Sequence, residues 1–215
     1  MNRLEKAKKI GKILDKLYPS TPVPLDHSSS YTLLVAVMLS AQTTDKKVNE
    51  VTLELFKHAQ TPEEMNSLEV DFIQKLIQQI GLAPTKAKNL KKMAKQLIDG
   101  GGMHADWKYL ESLAGVGHKT ASVVMAQWYN IPAFPVDTHI HRLAQRWGLT
   151  NGKNVTQTEK DLKKLFPKKN WNKLHLQIIF YGREFCKARD CYGLTCKICT
   201  TCYPKRKKPV KTKKA

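Results

Sequence analysis

The feature that most constrains the fold is a helical spacing of apolar residues that recurs along most of the chain. In residues 4–18, 70–80 and 84–97, apolar side chains return three and four positions apart, which places them on one helix face. Gly81 and the glycines at 100–102 end two of these segments. No segment alternates apolar and polar residues as a half-buried strand does. The spacing therefore predicts an all-α protein of roughly ten short helices.

The net charge of the chain indicates which class of partner it binds. Lysine and arginine number 37 against 18 aspartates and glutamates, a net charge of +19. Such an excess favours a polyanion, most simply nucleic acid, with anionic lipid as the alternative. The sequence contains no run of eighteen apolar residues, so we predict no membrane span. Residues 1–12 lack the apolar core of a signal peptide, so we expect a soluble protein that stays inside the cell.

A glycine turn lies between two short predicted helices at residues 113–121, which read L-A-G-V-G-H-K-T-A. Gly115 and Gly117 allow left-handed main-chain dihedrals and let a phosphate approach the exposed amides. The helix that begins near His118 directs its free N–H groups to the same place. The pattern indicates a helix-hairpin-helix that grips the DNA backbone without reading its sequence. A plain turn between two helices is the alternative.

Two residues close to this turn in sequence have side chains that are suited to catalysis. Lys119 lies in the first turn of a predicted helix, where the positive helix end and nearby cations disfavour its protonated form. A neutral amine there is a nucleophile for Schiff-base formation. Asp137 precedes T-H-I-H-R and is predicted to cap the next helix, a role that fixes the direction of its carboxylate. The alternatives are a solvated surface lysine and a purely structural cap.

All five cysteines fall between Cys186 and Cys202. This density differs from a disulfide framework, which is spread through a secreted fold. Clustered thiolates are typical ligands of zinc or of an iron–sulfur cluster. We therefore predict a metal centre near the C-terminus, against the alternative of five free buried thiols.

In combination these segments resemble the endonuclease III family, which comprises DNA glycosylases with abasic-site lyase activity. The resemblance covers residues 14–202. It is carried by L-S-A-Q-T-T-D at 39–45, I-G-L at 80–82 followed by Lys86-Ala87, L-A-G-V-G-H-K-T-A at 113–121, V-D-T-H-I at 136–140, and H-L through Y-G-R at 175–183. The family usually has proline where this chain has Ala114, a difference that removes no reacting group.

The resemblance implies a bifunctional enzyme of base excision repair. Such an enzyme removes oxidised pyrimidines, for example thymine glycol, and cuts the strand 3′ to the abasic site by β-elimination. Lys119 would form the Schiff base, and Asp137 would stabilise positive charge on the sugar. Gln42 and Leu82 match positions that fill the space left by a flipped nucleotide. His139 would belong to the DNA-binding residues and would hold water near Asp137. A helix-end polar residue, a core leucine and a packed histidine are the structural alternatives for these three.

The resemblance also implies two helical lobes. Residues 22–132 would form a helical-barrel domain that contains the helix-hairpin-helix. Residues 1–21 and 133–203 would form an iron–sulfur cluster domain, in which the N-terminal helix returns to pack on the C-terminal half. Residues 204–215, rich in lysine, are predicted to be a basic disordered tail.

The family's cofactor is a four-iron, four-sulfur (4Fe–4S) cluster with the spacing C-x6-C-x2-C-x5-C, from which this chain departs. The second ligand of that pattern falls on Gly193, so either Cys199 or Cys191 must supply the fourth thiolate. We predict the set that retains a C-x2-C pair and leaves Cys191 as the spare, with zinc as the competing occupant. The predicted ligands are Cys186, Cys196, Cys199 and Cys202.

The expected partner is duplex DNA with a damaged or abasic nucleotide, bound by a monomer with no membrane partner. The expected location is the cytoplasm, at the nucleoid if the source is bacterial. Two other functions stay open. One is a monofunctional glycosylase with another base preference; the adenine glycosylases resemble the same scaffold but lack a lysine at position 119 and carry an extra C-terminal domain. The other is a non-catalytic helix-hairpin-helix DNA-binding protein with a metal clip.

Overall fold

A computed structural model describes residues 1–215 and contains α-helices, one 3₁₀-helix and no β-strand, which confirms the predicted all-α class. No helix is both long enough and apolar enough to cross a membrane. The twelve α-helices are α1 (Arg3–Leu17), α2 (Ser30–Leu39), α3 (Asp45–His58), α4 (Pro62–Ser67), α5 (Val70–Leu76), α6 (Ala83–Asp99), α7 (Trp107–Ser112), α8 (His118–Gln127), α9 (Thr138–Arg146), α10 (Val155–Leu165), α11 (Trp171–Glu184) and α12 (Lys197–Cys202). The 3₁₀-helix spans Lys168–Asn170.

The chain divides into two compact units, residues 23–131 and residues 1–22 with 132–215. In the first unit, α2 is the central helix, and all of its residues from 31 to 39 are buried. A helix that is apolar on every side must be enclosed by others. Helices α3, α6 and α8 pack against α2. Ser29 and Thr32 begin α2 with a capping box, which satisfies main-chain N–H groups at its start.

The second unit joins the two ends of the chain in one core. Ile10 and Leu14 of α1 are buried with Trp147, Tyr181 and the cysteines. Helices α9 and α11 pack together, and α1 packs against α10, α11 and α12. The helical spacing of apolar residues in α1 is therefore explained by burial against helices more than a hundred residues later in the sequence.

Three local features add detail to the predictions. The cysteine segment contains the short helix α12. The cap of α3 is Thr44, whose Oγ1 accepts a hydrogen bond from the Lys47 N–H at 3.4 Å, and Asp45 is the first helical residue. The predicted tail also makes ordered contacts.

Residues 204–215 follow the surface of the second unit through main-chain hydrogen bonds. The Val210 N–H donates to the Tyr192 carbonyl at 2.9 Å. The side-chain amide of Gln145 donates to the Lys213 carbonyl and accepts from the Lys213 N–H, at 3.1 and 2.8 Å. These hydrogen-bond partners are distant from the tail in sequence. The charge of residues 204–215 gives no sign of them, so charge alone predicts a disordered tail.

Candidate active site and metal centre

Helices α7 and α8 form a helix-hairpin-helix whose turn requires glycine at one position. Gly115 has φ +79°, in the left-handed region. A Cβ on Gly115 would lie 2.8 Å from the Met38 sulfur and 3.0 Å from Nδ2 of Asn89. The close approach of α2 and α6 to the turn therefore excludes any larger residue here.

The hairpin turn is held by Gln96 of α6, a residue that the sequence motifs did not indicate. Its side-chain Nε2 donates to the Ser112 carbonyl at 3.2 Å, and its Oε1 accepts from the Ala114 N–H at 2.8 Å. Trp107 and His118 stack at 6.1 Å between ring centroids, across the two helices of the hairpin. These contacts fix the turn before any ligand binds.

The start of α8 is arranged to receive an anion. Gly117 caps α8 with extended backbone, and no side chain caps this end of the helix. A Cβ on Gly117 would meet nothing within 4 Å, so packing does not explain this glycine. The first N–H groups of a helix carry partial positive charge and bind phosphate well. Lys119, the second residue of α8, is exposed beside them.

Asp137, in the second unit, is the N-cap of α9. Its Oδ1 accepts a hydrogen bond from the Ile140 N–H at 2.8 Å, and the residue is half-buried. His139 lies in the first turn of the same helix, with its Nδ1 3.4 Å from Nη2 of Arg142. The cap fixes the direction in which the Asp137 carboxylate points.

Gln42 and Leu82 share an uncommon backbone conformation in the first unit. Their φ angles are +59° and +64°, a region that residues with a side chain seldom adopt. Gln42 is exposed, and Leu82 is 59% exposed at the N-cap of α6. Leu82 is therefore not a core leucine. Both side chains stand on the surface at the ends of helices.

Four buried thiols lie together at the C-terminal end of the chain. The sulfurs of Cys186, Cys191, Cys196 and Cys199 are all within 4.8 Å of one another. Cys199 is 3.9 Å from Cys186 and 3.8 Å from Cys191, measured between sulfurs. The Cys196 N–H also donates to the Cys191 sulfur at 3.4 Å.

This group differs from the predicted ligand set, because it contains Cys191 and lacks Cys202. Cys196 is the N-cap of α12 and Cys202 is the last residue of that helix. Six helical residues advance about 9 Å along the axis, and in this structure Cys202 lies outside the group of four sulfurs. The turn before α12 instead brings Cys191 back to Cys196. Gly193 has no room for a side chain, since its Cβ would lie 2.9 Å from both Arg206 and Val210.

The buried guanidinium of Arg146 organises the start of the cysteine segment. Its Nη1 donates to the Cys186 sulfur at 3.3 Å and to the Lys187 carbonyl at 2.7 Å, and its Nη2 donates to the Ala188 carbonyl at 2.9 Å. Hydrogen bonds from Cys186 and Cys199 lower the pKa of Cys196 below the usual range of a thiol. A cation beside these sulfurs favours the thiolate that a metal needs.

The comparison with known proteins decides the family. Residues 35–168 match the family model of the HhH-GPD superfamily base excision DNA repair proteins. The chain is 39% identical to endonuclease III of Bacillus subtilis over 210 residues, which is 95% of this chain and 96% of the relative. It is 39% identical to endonuclease III of Escherichia coli K12 over 209 residues, which is 95% of this chain and 99% of that protein.

The chain belongs to the endonuclease III family.

Solved structures agree with this membership. A trapped endonuclease III–DNA covalent intermediate superposes with a TM-score of 0.87 at 36% identity, over 92% of this chain and 94% of the other. A thermostable thymine-DNA glycosylase shares the fold, with a TM-score of 0.80 at 22% identity, over 90% of this chain and 94% of that one. As a member of the endonuclease III family, the chain is a base excision repair enzyme, a DNA glycosylase with abasic-site lyase activity.

The four grouped thiols fit a thiolate-bound metal centre of the kind that the endonuclease III family implies. They match it in number, in burial and in the softness of sulfur as a ligand. Cys202, although buried, stands outside the group. The sequence motifs identified the segment but not its internal geometry, because the turn that returns Cys191 depends on α12 and on Arg146.

Proposed function

We propose that the enzyme removes oxidised pyrimidines such as thymine glycol and then cuts the strand through a lysine Schiff base. The observation that supports this most is Lys119, an exposed amine one residue into α8, beside a glycine hairpin with uncapped N–H groups. A monofunctional enzyme would use the hairpin to bind DNA but would not need an amine at this position. Lys119 therefore favours lyase chemistry over simple hydrolysis.

The chemistry proceeds in two stages from the amine of Lys119. In its neutral form, Nζ attacks C1′ of the sugar, and the glycosidic bond breaks with its electron pair leaving on the base, which takes up a proton. Nζ then loses a proton, and the C1′–O4′ bond breaks with its electron pair going to O4′, which takes up a proton. The iminium between Nζ and C1′ results. The iminium acidifies the C2′ proton; its removal expels the 3′ phosphate by β-elimination. Water releases the lysine by hydrolysing the imine.

Asp137 has an electrostatic role in this proposal. Positive charge develops on the sugar as the base departs, and a fixed carboxylate stabilises it more than mobile water does. The same carboxylate would move a proton to or from the reacting groups. Its hydrogen bond to the Ile140 N–H keeps one oxygen in place during these changes. His139, in the same helical turn, would hold water near this carboxylate.

Four of the DNA contacts that we propose lie in the first unit. The glycine hairpin at Gly115 and Gly117 would hold a phosphate of the damaged strand at the start of α8. The exposed side chains of Gln42 and Leu82 would enter the stack where the nucleotide has left it. Exposure and a surface location at helix ends are what such wedges require.

For the cofactor, we propose a 4Fe–4S cluster on the thiols of Cys186, Cys191, Cys196 and Cys199. Family membership supports iron, and the four buried thiols supply the usual ligands of such a cluster. When bound, the cluster would tie α12 to α9 and α11; the excision chemistry needs no electron transfer. Lys187, Arg189 and Lys197 would then present positive charge to phosphates.

Zinc is the second candidate, because the sulfurs are close together. A tetrahedral zinc with bonds near 2.3 Å separates its sulfurs by about 3.8 Å. The two measured separations are 3.8 and 3.9 Å. Metal and sulfide analysis of the purified protein separates the candidates. Brown protein with four irons and four sulfides supports the cluster, and colourless protein with one zinc overturns it.

Replacing single cysteines tests the ligand set whichever metal is present. Cys191→Ser should reduce bound metal, because Cys191 lies within the group of four sulfurs. Cys202→Ser is the matched control, since Cys202 is equally buried but outside the group. Loss of metal in Cys202→Ser with full retention in Cys191→Ser would return the ligand set to the one predicted from spacing.

We further propose that the enzyme acts as a monomer on duplex DNA in the cytoplasm, at the nucleoid in a bacterium. The net charge of +19 supports a nucleic-acid partner. Sedimentation with and without a short abasic duplex tests the stoichiometry. A mass of one chain per duplex supports the proposal, and two chains per duplex contradicts it.

The substrate is tested with three duplexes that carry thymine glycol, an abasic site or a mismatched adenine. Excision of thymine glycol, with strand cleavage at both of the first two sites, supports the proposal. Borohydride added during the reaction should reduce the imine and leave a covalent adduct. Excision of adenine, or base removal without cleavage of the abasic strand, would favour the monofunctional alternative. Binding without either reaction would favour a non-catalytic DNA-binding protein.

A further inference from the structure

Lys86 of α6 is a buried lysine that no part of the proposed chemistry uses. Only 6% of its surface is exposed. Its Nζ donates to the Leu39 carbonyl at 2.9 Å and to the Ala41 carbonyl at 2.7 Å. Burial lowers the pKa of Lys86 from its usual value, because a charged amine is less well solvated there. A buried ammonium persists only where such acceptors hold it.

The two carbonyls that accept from Lys86 belong to the short segment that precedes Gln42. Leu39 is the last residue of α2, and Ala41 immediately precedes Gln42. The last carbonyls of a helix have no partner within the helix and carry partial negative charge. The ammonium of Lys86 therefore caps the end of α2 and fixes the main chain from which the Gln42 side chain projects.

The backbone of Lys86 contacts the second exposed residue. Its N–H donates to the Leu82 carbonyl at 3.0 Å, in the first turn of α6. Leu82 is the N-cap of that helix and, like Gln42, has a left-handed backbone. One residue thus joins two separate loops, and each loop presents one exposed side chain from a strained conformation.

We propose that Lys86 is a positioning residue that holds Gln42 and Leu82 in a single arrangement ready to enter a distorted duplex. The inference rests on the proposed function, because it assigns to these two residues the filling of the vacated stack. Without the ammonium, two buried carbonyls lose their donor and the Gln42 loop loses its tie to α6. The main-chain bond to Leu82 persists in any Lys86 variant, so it is the left-handed conformation at Gln42 that would relax toward a more favourable one.

Lys91 supplies a matched control on the same helix. Its Nζ also donates to a main-chain carbonyl, that of Leu68, and it is half-buried. Leu68 follows α4 and has no part in the Gln42 or Leu82 loops. Lys86→Met and Lys91→Met therefore remove the same group from the same helix, and only the first removes the tie between the two loops.

The test compares abasic-strand cleavage in duplex and in single-stranded DNA. A single strand has no stack to fill, so its cleavage does not need the two side chains. Lys86→Met should lower kcat/KM on the duplex by roughly a hundredfold, as small misplacements do. Its rate on the single strand should stay within about twofold of wild type, the usual size of a neutral change. Lys91→Met should match wild type on both.

In a duplex with 2-aminopurine opposite the abasic site, the fluorescence rise on binding should be lost only in Lys86→Met.

Two further variants keep the result interpretable if Lys86→Met is unstable. Lys86→Arg retains the charge and should recover part of the duplex activity, whereas Lys86→Gln should not. In a background of Gln42→Ala with Leu82→Ala, a Lys86 substitution should cause no further loss, because its effect passes through those residues.

Equal losses on duplex and single strand, in whichever Lys86 variant folds, would overturn the positioning role. So would full duplex activity in Lys86→Gln. Wild-type protein that cleaves neither substrate would instead contradict the proposed function. In that case, the fluorescence comparison still decides whether Lys86 positions the two side chains.

Discussion

Nη1 of Arg146 donates a hydrogen bond to the sulfur of Cys186 over 3.3 Å. Arg146 is the last residue of α9, and Asp137 caps the first turn of the same helix. One helix of nine residues therefore connects the cysteine segment to a residue that we assign to the chemistry. We therefore expect a metal bound at the cysteines to affect catalysis through this helix without taking part in any reaction step.

Replacing Arg146 with methionine should loosen the cysteine segment. The change leaves the carbonyls of Lys187 and Ala188 without their donor and removes a cation from the thiols. Buried acceptors left without a donor lower the free energy of unfolding by about 1–3 kcal/mol. Chemical denaturation and metal analysis measure the two effects. Arg189→Met, at an exposed position of the same segment, should change neither, and unchanged metal content in Arg146→Met would contradict this role.

The two glycines of the hairpin should respond differently to alanine. Gly115→Ala places a Cβ against Met38 and Asn89 at a left-handed position, so the free energy of unfolding should fall by at least about 1–2 kcal/mol. Gly117→Ala meets no neighbour, so its stability should be close to wild type. The added methyl group would stand near the proposed phosphate and weaken DNA binding by about tenfold, or 1.4 kcal/mol. Unchanged affinity in Gly117→Ala would contradict phosphate binding at this turn.

Asp137→Asn separates capping from catalysis. Asparagine caps helices about as well as aspartate, so the free energy of unfolding should change by less than about 0.5 kcal/mol. The carboxylate charge is lost, and kcat for base excision should fall by roughly a hundredfold or more. Single-turnover excision and thermal unfolding measure the two effects. An Asn variant with wild-type excision would reduce Asp137 to a cap.

Burial of His141 should make stability depend on pH. Its Nδ1 lies 2.8 Å from the Thr158 hydroxyl, and burial lowers its pKa from the usual 6.5. His141 therefore binds a proton in the unfolded chain at pH values where it stays neutral in the folded chain. Stability is complete above about pH 6.5 and falls as the pH drops toward the folded pKa, by at most about 1.4 kcal/mol per pH unit. His141→Gln should show a smaller decrease between pH 7 and 5, and an identical decrease would exclude His141 as its source.

The fold class and the position of the site segments could be predicted from sequence because their signals are local. The apolar spacing of α1 and the caps at Ser29 and Asp137 depend on neighbours within a few residues. The roles of Gln96 and Arg146 could not be predicted in this way. Each acts on main-chain atoms at least 16 residues away, and such contacts leave no periodic pattern.

The grouping of the cysteines could not be predicted from spacing either, although these residues lie close together in sequence. The family spacing placed Cys202 in register, and the C-x2-C pair favoured Cys199 over Cys191 as the fourth ligand. In the structure, α12 carries Cys202 away from Cys196, while the preceding turn brings Cys191 to it. Whether Cys191 or Cys202 joins the group of four sulfurs depends on α12, a helix of six residues.

Borohydride trapping with Lys119→Gln on an abasic duplex tests the central claim most directly. The wild type should form a covalent enzyme–DNA adduct, and so should Lys108→Gln, a control at an exposed lysine of the same hairpin. Lys119→Gln should bind the duplex nearly as well as wild type and form no adduct, because glutamine provides no amine to attack C1′. Persistence of the adduct in Lys119→Gln would show that another group is the nucleophile.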